Sequence, residues 1–162
     1  MDEALMLAWM ERYGTEIKRL CLMLLKDLHL AEDAAQETFI KAWRGYAGFR
    51  QASGEKTWLM HIAVNVCRDM LRGQWFRRLD RRITPEELPL TYAPDWPDPT
   101  LAMEIAALPL HQREAILLRY WQGMEVGEIA QAMGCSVNTV KSNLQRGKRR
   151  LKEKLEGWYD DE

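Results

Sequence analysis

Residues 125–154 read EVGEIAQAMGCSVNTVKSNLQRGKRRLKEK, and this segment contains two helical patterns separated by a glycine. The first, short pattern ends at Gly134, and Ser136 is placed to cap a second, longer helix. Ala130, Gly134 and Val140 have the spacing of a helix-turn-helix, with a small residue where the helices touch, a glycine in the turn and an apolar anchor. The segment therefore predicts a recognition helix that projects into a DNA major groove.

The predicted recognition helix is strongly basic. From Ser136 to Lys154 the chain has seven lysines and arginines against one acid, Glu153. The side chains expected to face DNA are Lys141, Ser142, Gln145, Arg146, Lys148 and Arg149, and those expected to pack inward are Val137, Val140, Leu144, Leu151 and Leu155. A run of charged residues is by itself usually the solvated face of a helix. Here a capped turn precedes the basic helix, and this combination favours DNA binding.

Helical periodicity also dominates the rest of the chain. An amphipathic pattern includes Met6 and Met10 on its apolar face and breaks over residues 27–30. A third helix, ending near Phe76, is predicted to begin at Thr57, a suitable N-cap. The other predicted helices occupy approximately residues 31–44, 100–107, 110–122, 125–133 and 137–156. No stretch alternates apolar and polar residues for long enough to form a sheet, so we expect an all-α fold.

A proline-rich segment divides the chain. Five of the six prolines lie between residues 85 and 99, and residues 79–98 carry five acids and two bases. Proline fixes φ and lacks an amide donor, so this segment is expected to be an extended linker. We therefore predict two small helical domains, 1–78 and 99–162, joined by the linker 79–98.

A polar stripe runs along the predicted third helix. His61, Asn65, Arg68 and Arg72 follow at helical spacing and therefore share a face. Arginine and asparagine suit contacts with phosphates and base edges, and aromatic side chains beside basic groups suit stacking on unpaired bases. The nearby aromatic residues are Tyr46, Phe49, Trp58, Trp75 and Phe76. The alternative is a solvated stripe beside core aromatics, and the residues alone slightly favour that alternative.

The composition argues against an enzyme, a metalloprotein and a membrane protein. His29, His61 and His111 lack neighbours that would complete a metal site or a catalytic triad, so we expect no catalytic residue, metal or cofactor. Three scattered cysteines without ligand spacing favour a reducing cytoplasm. The N-terminus is acidic and no apolar run approaches the roughly 20 residues of a membrane span, so we expect a cytoplasmic protein without membrane insertion. Because the net charge is −1, nucleic-acid binding must come from local clusters of charge.

Nearly the whole chain resembles the extracytoplasmic-function (ECF) group of bacterial sigma-70-type sigma factors. In the N-terminal half the resemblance is to sigma region 2, in residues 31–43 (AEDAAQETFIKAW), 57–59 (TWL), 62–65 (IAVN) and 68–69 (RD). In the C-terminal half it is to sigma region 4, in residues 108–109 (LP), 112–114 (QRE), 118–121 (LRYW), 128–130 (EIA), 139–142 (TVKS) and 146–151 (RGKRRL). Two ordered sets of motifs around a proline-rich linker are far more specific than a single helix-turn-helix.

The resemblance implies a sigma factor that directs RNA polymerase core to promoters and assists promoter melting. Asp33, Gln36 and Glu37 would bind the clamp helices of the polymerase β′ subunit, with the β subunit as a further contact. The residues implied in minus-10 recognition are Asn65, Arg68, Asp69, Arg72 and Trp58, together with the loop before them. The recognition helix would bind the minus-35 element. The family resemblance also implies a stress or envelope response and an anti-sigma factor as a partner.

Three positions depart from the resemblance. Asn138 replaces a common glycine, Asn143 stands where many members have arginine, and Gly147 where many have alanine. All three lie in the predicted recognition helix, so the promoter sequence that it binds stays open.

Two other classes of protein fit parts of the sequence. A helix-turn-helix regulator with a sensor or oligomerisation domain would bind duplex DNA without polymerase. However, the N-terminal half shows no sequence pattern of a ligand pocket or a phosphoacceptor domain. A sensor domain would also give no role to the polar stripe at residues 65–72. A sigma-mimicking adaptor or anti-sigma-type interaction protein would give weak or no promoter-specific transcription with core polymerase.

Overall fold

The computed structural model describes residues 1–49, 54–78 and 98–159, without side-chain detail for 74–78 and 157–159. Every regular element in these residues is a helix, so the predicted all-α fold is confirmed. The N-terminal group consists of α1 (Glu3–Leu25), α2 (Leu28–Gly45), a 3₁₀ turn (Tyr46–Gly48) and α3 (Glu55–Arg78). The C-terminal group consists of α4 (Pro99–Ala106), α5 (Leu110–Ile116), a π-helical turn (Leu117–Trp121), α6 (Val126–Met133) and α7 (Val137–Tyr159). Except for Asp98, the predicted linker lies outside the described residues.

Local signals fix the ends of the N-terminal helices. Asp2 caps α1 through its carboxylate, and Asp27 caps α2 by accepting a hydrogen bond from Leu30 N at 3.0 Å. Between these helices Lys26 adopts a φ of 60°, a left-handed C-cap. Because one residue turns the chain and the next caps the following helix, α2 begins at Leu28, earlier than the sequence predicts.

The N-terminal helices enclose an apolar core and an aromatic cluster. α1 packs against α2, and α3 contacts both. Trp9 contacts Tyr46, Phe49 and Trp58 edge to face, at ring-centroid distances of 5.9, 6.0 and 6.1 Å. Such pairs add roughly 0.5–1.5 kcal/mol each beyond the area that they bury. Three of the aromatic residues considered for base stacking therefore pack on one another in this structure.

Thr57 is not the N-cap of α3, so that prediction is wrong. Trp58 N–H already donates to Gly54 O at 3.1 Å, which places Thr57 inside the first helical turn. Thr57 is buried, and its hydroxyl donates to the carboxylate of Glu128 in α6 at 2.9 Å. The sequence could not show this role because the partner is 71 residues away.

The helix-turn-helix of the C-terminal group has the predicted turn. Gly134 ends α6 with a φ of 67°, and Ser136 Oγ accepts a backbone hydrogen bond from the first turn of α7 at 3.1 Å. Val140 and Leu144 are buried as expected. Val137, however, is 41% exposed, so its predicted place in the apolar stripe is wrong. It is the first residue of α7, one turn before this face of the helix becomes buried.

The two helical groups pack against each other. α3 lies against α6, and α1 contacts α4 and α5. At one edge of this contact the buried guanidinium of Arg113 donates to Leu24 O at the end of α1, at 3.1 Å. The same guanidinium donates to Ala106 O at 2.7 Å and to Leu108 O at 3.2 Å. One buried arginine thus joins the turn between α4 and α5 to the end of α1.

Candidate nucleic-acid interface

The basic face of α7 is open to solvent. Five of the six side chains predicted to face DNA are exposed, and Ser142 is half-buried; the exposed ones are Lys141, Gln145, Arg146, Lys148 and Arg149. Within the described residues Lys141, Arg146 and Arg149 form no ion pair with an acid. Unpaired cations along one helix form the type of surface that binds a phosphate backbone.

Gly147 sets how closely α7 approaches α5. It lies on the buried side of α7, and a Cβ atom added there would be 2.9 Å from Ile116 Cγ1 and 3.2 Å from its Cδ1. The glycine therefore permits a helix contact that alanine would crowd. This gives a physical reason for the departure at Gly147 noted in the sequence.

Tyr120 extends the surface of α7. Its ring lies in the π-helical turn and is 51% exposed, with Lys148 Nζ 5.3 Å from the ring centroid. Such a cation–π contact is worth about 0.5–1 kcal/mol at an exposed site. It holds one cation of the basic face beside a side chain that the sequence did not single out for a site.

The acidic face predicted to bind polymerase is accessible on α2. Asp33 and Gln36 are exposed and Glu37 is half-buried. None of the three forms a hydrogen bond or ion pair with another described residue. These side chains are therefore free to bind a partner.

An apolar groove of about 700 Å³ adjoins this acidic face between α1 and α2. Five apolar and two polar side chains line it: Met6, Met10, Phe39, Ile40 and Trp43, with Gln36 and Arg44. Trp43 is 45% exposed and Met10 is also exposed, so the expectation that Met10 packs inward is wrong. The sequence could have indicated this groove through Ile40 and Trp43, two apolar residues that lie outside the alanine-rich stripe that α2 buries.

Arg68 is engaged by the C-terminal group of helices. Its guanidinium donates from Nε to Glu114 Oε1 at 3.0 Å and from Nη2 to Glu114 Oε2 at 2.5 Å, and Nη1 donates to Met133 O at 2.9 Å. The Glu114 side chain is 0% exposed and that of Arg68 is 21% exposed. Hydrogen bonding to Glu114 raises the pKa of the Arg68 guanidinium above its already high value. The sequence did not reveal Glu114 as the partner of this predicted DNA-contacting residue.

His61 and Asn65 also belong to this contact. His61 Nδ1 lies 2.9 Å from Ala132 O, and Asn65 Nδ2 lies 3.2 Å from His61 Nε2. One tautomer satisfies both bonds, because a protonated Nδ1 donates to the carbonyl and leaves Nε2 to accept from the amide. The predicted stripe is thus the contact face with α6 along most of its length.

The remaining residues predicted for minus-10 recognition form no hydrogen bond with the C-terminal group in the described structure. Asp69 and Arg72 form an exposed ion pair at 2.6 Å. Trp58 is half-buried in the aromatic cluster, 4.7 Å from Phe49 between ring centroids. Trp75 and Phe76 lie among the residues without described side chains. The five predicted residues do not form one free surface in this arrangement.

Two further hydrogen bonds join α3 to the C-terminal group. Thr57 donates to Glu128, as described above, and Lys56 Nζ donates to Gln122 O at 2.7 Å. Lys56 also forms an ion pair with Glu16 of α1 at 3.5 Å. The contact is therefore a continuous series of polar bonds along α3, from Lys56 to Arg68.

The cysteines of the described chain are unpaired thiols. A hydrogen bond with Cys21 and burial raise the pKa of the Cys67 thiol, and burial raises that of Cys135. Raised pKa values keep the thiols of Cys67 and Cys135 protonated, so these two side chains behave as small apolar groups. Among the described residues no cluster of histidine, cysteine and acidic side chains has the arrangement of a metal site.

Comparison with known proteins identifies both halves of the chain. Residues 9–77 match the family described as Sigma-70 region 2, and residues 100–151 match Sigma-70, region 4. The chain is 30% identical to the RNA polymerase sigma-H factor of Pseudomonas aeruginosa, over 90% of this chain and 83% of that protein. It is 29% identical to the ECF RNA polymerase sigma factor SigX of Bacillus subtilis, over 96% of this chain and 86% of that protein.

A solved structure shows the same architecture. The sigma factor RpoE of Bartonella quintana, in complex with the anti-sigma factor NepR, superposes with a TM-score of 0.78 at 25% identity. The superposition covers 91% of this chain and 94% of the RpoE chain.

This chain belongs to the sigma-70 family, in its ECF group. It is a sigma factor, which directs RNA polymerase core to promoter DNA, and a stress or envelope role is typical of this group. In the part of the chain that the structure describes, no helix is both long enough and apolar enough to span a membrane.

Proposed function

We propose that this sigma factor binds polymerase core through the acidic face of α2, binds the minus-35 element through α7 and captures an unpaired minus-10 base through α3. The exposed cationic face of α7 carries the proposal, because it follows the capped turn of a helix-turn-helix. That geometry places the first turns of a recognition helix against base edges and its later turns against phosphates.

In the minus-35 assignment the side chains of α7 have different tasks. Lys141 and Gln145 lie in the early turns and are exposed, with Ser142 beside them, so they are assigned to the major-groove floor. Arg146 is assigned to a base, because a guanidinium can donate two parallel bonds to guanine O6 and N7. Lys148 and Arg149 are assigned to phosphates, where their contribution comes from counterion release.

The minus-10 assignment uses Asn65, Arg68, Asp69 and Arg72 on α3, with Trp58 from the aromatic cluster. An asparagine amide suits a base edge and the two arginines suit phosphates. Asp69 lies beside Arg72 at 2.6 Å, which suits holding that guanidinium in place. In the described arrangement Arg68 and Asn65 have protein partners, so this assignment requires the two helical groups to separate.

Core binding is assigned to Asp33, Gln36 and Glu37, which would bind the clamp helices of β′, with the β subunit as a further contact. Asp33→Arg and Glu37→Lys should each weaken competition for core polymerase. Stability should change by no more than about 0.5 kcal/mol, as is usual for substitutions away from a core. Glu11→Lys, an exposed charge reversal on α1, serves as the control. Unchanged competition by both α2 variants would remove the assignment.

Domain boundaries, partners and location belong to the same proposal. Residues 1–78 form the core-binding and minus-10 domain, 79–98 the linker, and 99–162 the minus-35 domain. RpoE of B. quintana was solved with an anti-sigma factor, which supports an anti-sigma partner for this chain as well. We assign the protein to the cytoplasm, because the RNA polymerase and promoter DNA that it is proposed to bind are located there. Promoter melting by bound protein needs no catalytic group in the sigma factor itself.

Run-off transcription with purified core polymerase on genomic fragments tests the proposal. We expect promoter-specific transcripts with the full chain, and loss of specific initiation with Asp33→Arg. Tight, sequence-specific binding of duplex DNA by the free protein, without specific transcripts, would support a helix-turn-helix regulator. Core binding without specific transcripts would support an adaptor.

A further inference from the structure

Tyr120 and Lys148 come together because α7 closely approaches α5 and the π-helical turn that continues it. Gly147 lies against Ile116, where an added Cβ atom would be only 2.9 Å from Ile116 Cγ1. Tyr120 follows Ile116 by four residues, and Lys148 follows Gly147 directly. The close approach therefore brings the lysine to the tyrosine, with Lys148 Nζ 5.3 Å from the centroid of the ring.

We infer that Tyr120 is a positioning residue for DNA binding, because its ring holds the ammonium group of Lys148 in place for a backbone phosphate of the minus-35 duplex. The inference rests on the proposed function, which assigns Lys148 to a phosphate. It adds to minus-35 binding a residue that lies before the helix-turn-helix, in the π-helical turn. The ring acts through Lys148, and Tyr120 contacts neither a base nor a phosphate itself.

An aromatic ring can position a cation without neutralising it. The face of the ring attracts an ammonium group through its quadrupole and carries no net charge. A carboxylate would also hold a lysine, but its negative charge would offset the attraction of the lysine for a phosphate. Lys152, farther along α7, has such a partner, with Glu156 Oε1 3.7 Å from its Nζ. Among the described residues no acid pairs with Lys148, so its full charge remains available to DNA.

The tyrosine ring is anchored at its base and open at its outer end. Leu117 and Leu118 of the same π-helical turn are buried, which fixes the turn against the core. The neighbouring Arg119 donates to Met124 O at 2.9 Å and holds the turn to the segment that follows it. Tyr120 itself is 51% exposed. The ring is therefore attached to an ordered backbone and remains accessible beside the basic face of α7.

Holding Lys148 lowers the entropic cost of phosphate binding. A free lysine side chain samples many rotamers and loses that freedom when it binds a phosphate. Contact with Tyr120 restricts the side chain before DNA arrives, so less freedom is lost on binding. An ammonium group has three N–H donors, so it can face the ring on one side and donate to a phosphate on the other. The ring and the phosphate therefore do not compete for Lys148.

The test measures binding of full-length variants to a labelled duplex of random sequence, by fluorescence anisotropy over a range of salt concentrations. A random duplex is sufficient because phosphate contacts carry no sequence information. The variants are Tyr120→Ala, Tyr120→Phe, Lys148→Ala and the double variant of Tyr120→Ala with Lys148→Ala. Met103→Ala is the matched control, since Met103 belongs to the same helical group and is also 51% exposed. Circular dichroism and thermal unfolding show whether each variant is folded.

The two substitutions of Tyr120 separate the ring from the hydroxyl. Tyr120→Ala should weaken duplex binding about threefold, which corresponds to one exposed cation–π contact. Tyr120→Phe should restore the affinity, since phenylalanine keeps the ring. Met103→Ala should bind as wild type does. Equal losses in Tyr120→Phe and Tyr120→Ala would overturn the inference, because the hydroxyl would then be responsible.

Salt dependence separates the positioning residue from the charge that it positions. Lys148→Ala should lower the slope of log affinity against log salt concentration by about 0.9, the value for one lost phosphate contact. Tyr120→Ala should leave that slope unchanged, because the charge of Lys148 is still present. A slope lowered equally by both substitutions would overturn the positioning role, since Lys148 would then reach the phosphate only when the ring is present.

The double variant shows whether Tyr120 acts through Lys148. Tyr120→Ala should have no further effect on affinity once Lys148 is alanine, which is a coupling of about threefold between the two sites. A threefold loss in both backgrounds would overturn the inference, as would wild-type binding by Tyr120→Ala when Lys148→Ala weakens binding. Failure of the proposed phosphate contact is seen separately, as wild-type affinity and salt dependence in Lys148→Ala.

Discussion

The helices α3 and α7 are similar in sequence chemistry and opposite in surroundings. Both exceed 20 residues, and both carry a stripe of basic and amide side chains assigned to a promoter element. In α7 the cations are exposed and mostly unpaired. In α3 the central cation, Arg68, is bound to a carboxylate that is fully buried. The comparison shows that a basic stripe becomes a binding surface only if the rest of the chain leaves it uncovered.

The physical cause lies in the facing elements. α5 and α6 present Glu114 and the carbonyl oxygens of Ala132 and Met133 to α3, so His61 and Arg68 both bond to the C-terminal group. Among the described residues no acid pairs with Lys141, Arg146 or Arg149 of α7. Their like charges are exposed to water, where a high dielectric constant weakens their repulsion. The two helices therefore differ in the side chains and carbonyl groups that face them, and not in their own helix-forming residues.

The largest expected effect comes from Arg113→Ala, which breaks the tie between the two helical groups without altering the basic face of α7. The change leaves three buried carbonyls without this donor and creates a cavity, so unfolding free energy should fall by about 3–5 kcal/mol. Urea denaturation followed by circular dichroism measures it. Arg119→Ala, which removes a part-buried bond to Met124 O at 2.9 Å, should cost less than about 1.5 kcal/mol. Equal losses would show that Arg113 has no special structural role.

Arg146→Ala tests the exposed helix. Holoenzyme with this variant should lose roughly 1–3 kcal/mol of discrimination between an intact and a mutated minus-35 element, if Arg146 contacts a base. Competition binding with the two duplexes gives the difference. Lys152→Ala is the control, because that lysine lies farther along α7 and forms an ion pair with Glu156 at 3.7 Å. If both variants lose affinity equally on both duplexes, Arg146 contacts only phosphate.

Asn65→Ala tests the covered helix. Loss of one base contact should reduce strand opening about tenfold, roughly 1.4 kcal/mol, while binding to the minus-35 element stays unchanged. Permanganate reactivity at the minus-10 element reports the opened bases. A template melted in advance should restore only part of the activity if Asn65 also recognises the base. Normal strand opening by Asn65→Ala would contradict the assignment of Asn65, and promoter melting would then be assigned to the loop before α3.

Gly147→Ala should have the smallest effect and tests the packing that orients α7. Replacing a helical glycine gains up to about 1 kcal/mol, but crowding Ile116 at 2.9 Å should cost about 1–3 kcal/mol. We expect a net loss near 1 kcal/mol in thermal unfolding. Gly14→Ala in α1 meets no atom within 4 Å and should stabilise the protein. Stabilisation by both changes would mean that α5 moves aside without cost.

Local signals allowed much of the fold to be predicted. Gly134 and Ser136 specify the turn before α7 because the left-handed φ and the cap depend on residues within three positions of each other. The accessibility of the acidic face of α2 was also predictable, since its members are about one turn apart; Asp33 and Gln36 are exposed and Glu37 is half-buried. Thr57 and Met10 were predicted wrongly because their surroundings are set by other elements: Thr57 bonds to Glu128, and Met10 lines an open groove.

The amino-acid sequence by itself determined the helices, the helix-turn-helix and membership of the sigma-70 family, because periodicity, caps and motifs act over a few residues. Only the tertiary structure decided which of the two basic helices is free. That outcome depends on Arg68 meeting Glu114, 46 positions away, and on His61 meeting Ala132, 71 positions away. Helical spacing fixes which side chains share a face, but burial and pairing depend on what packs against that face.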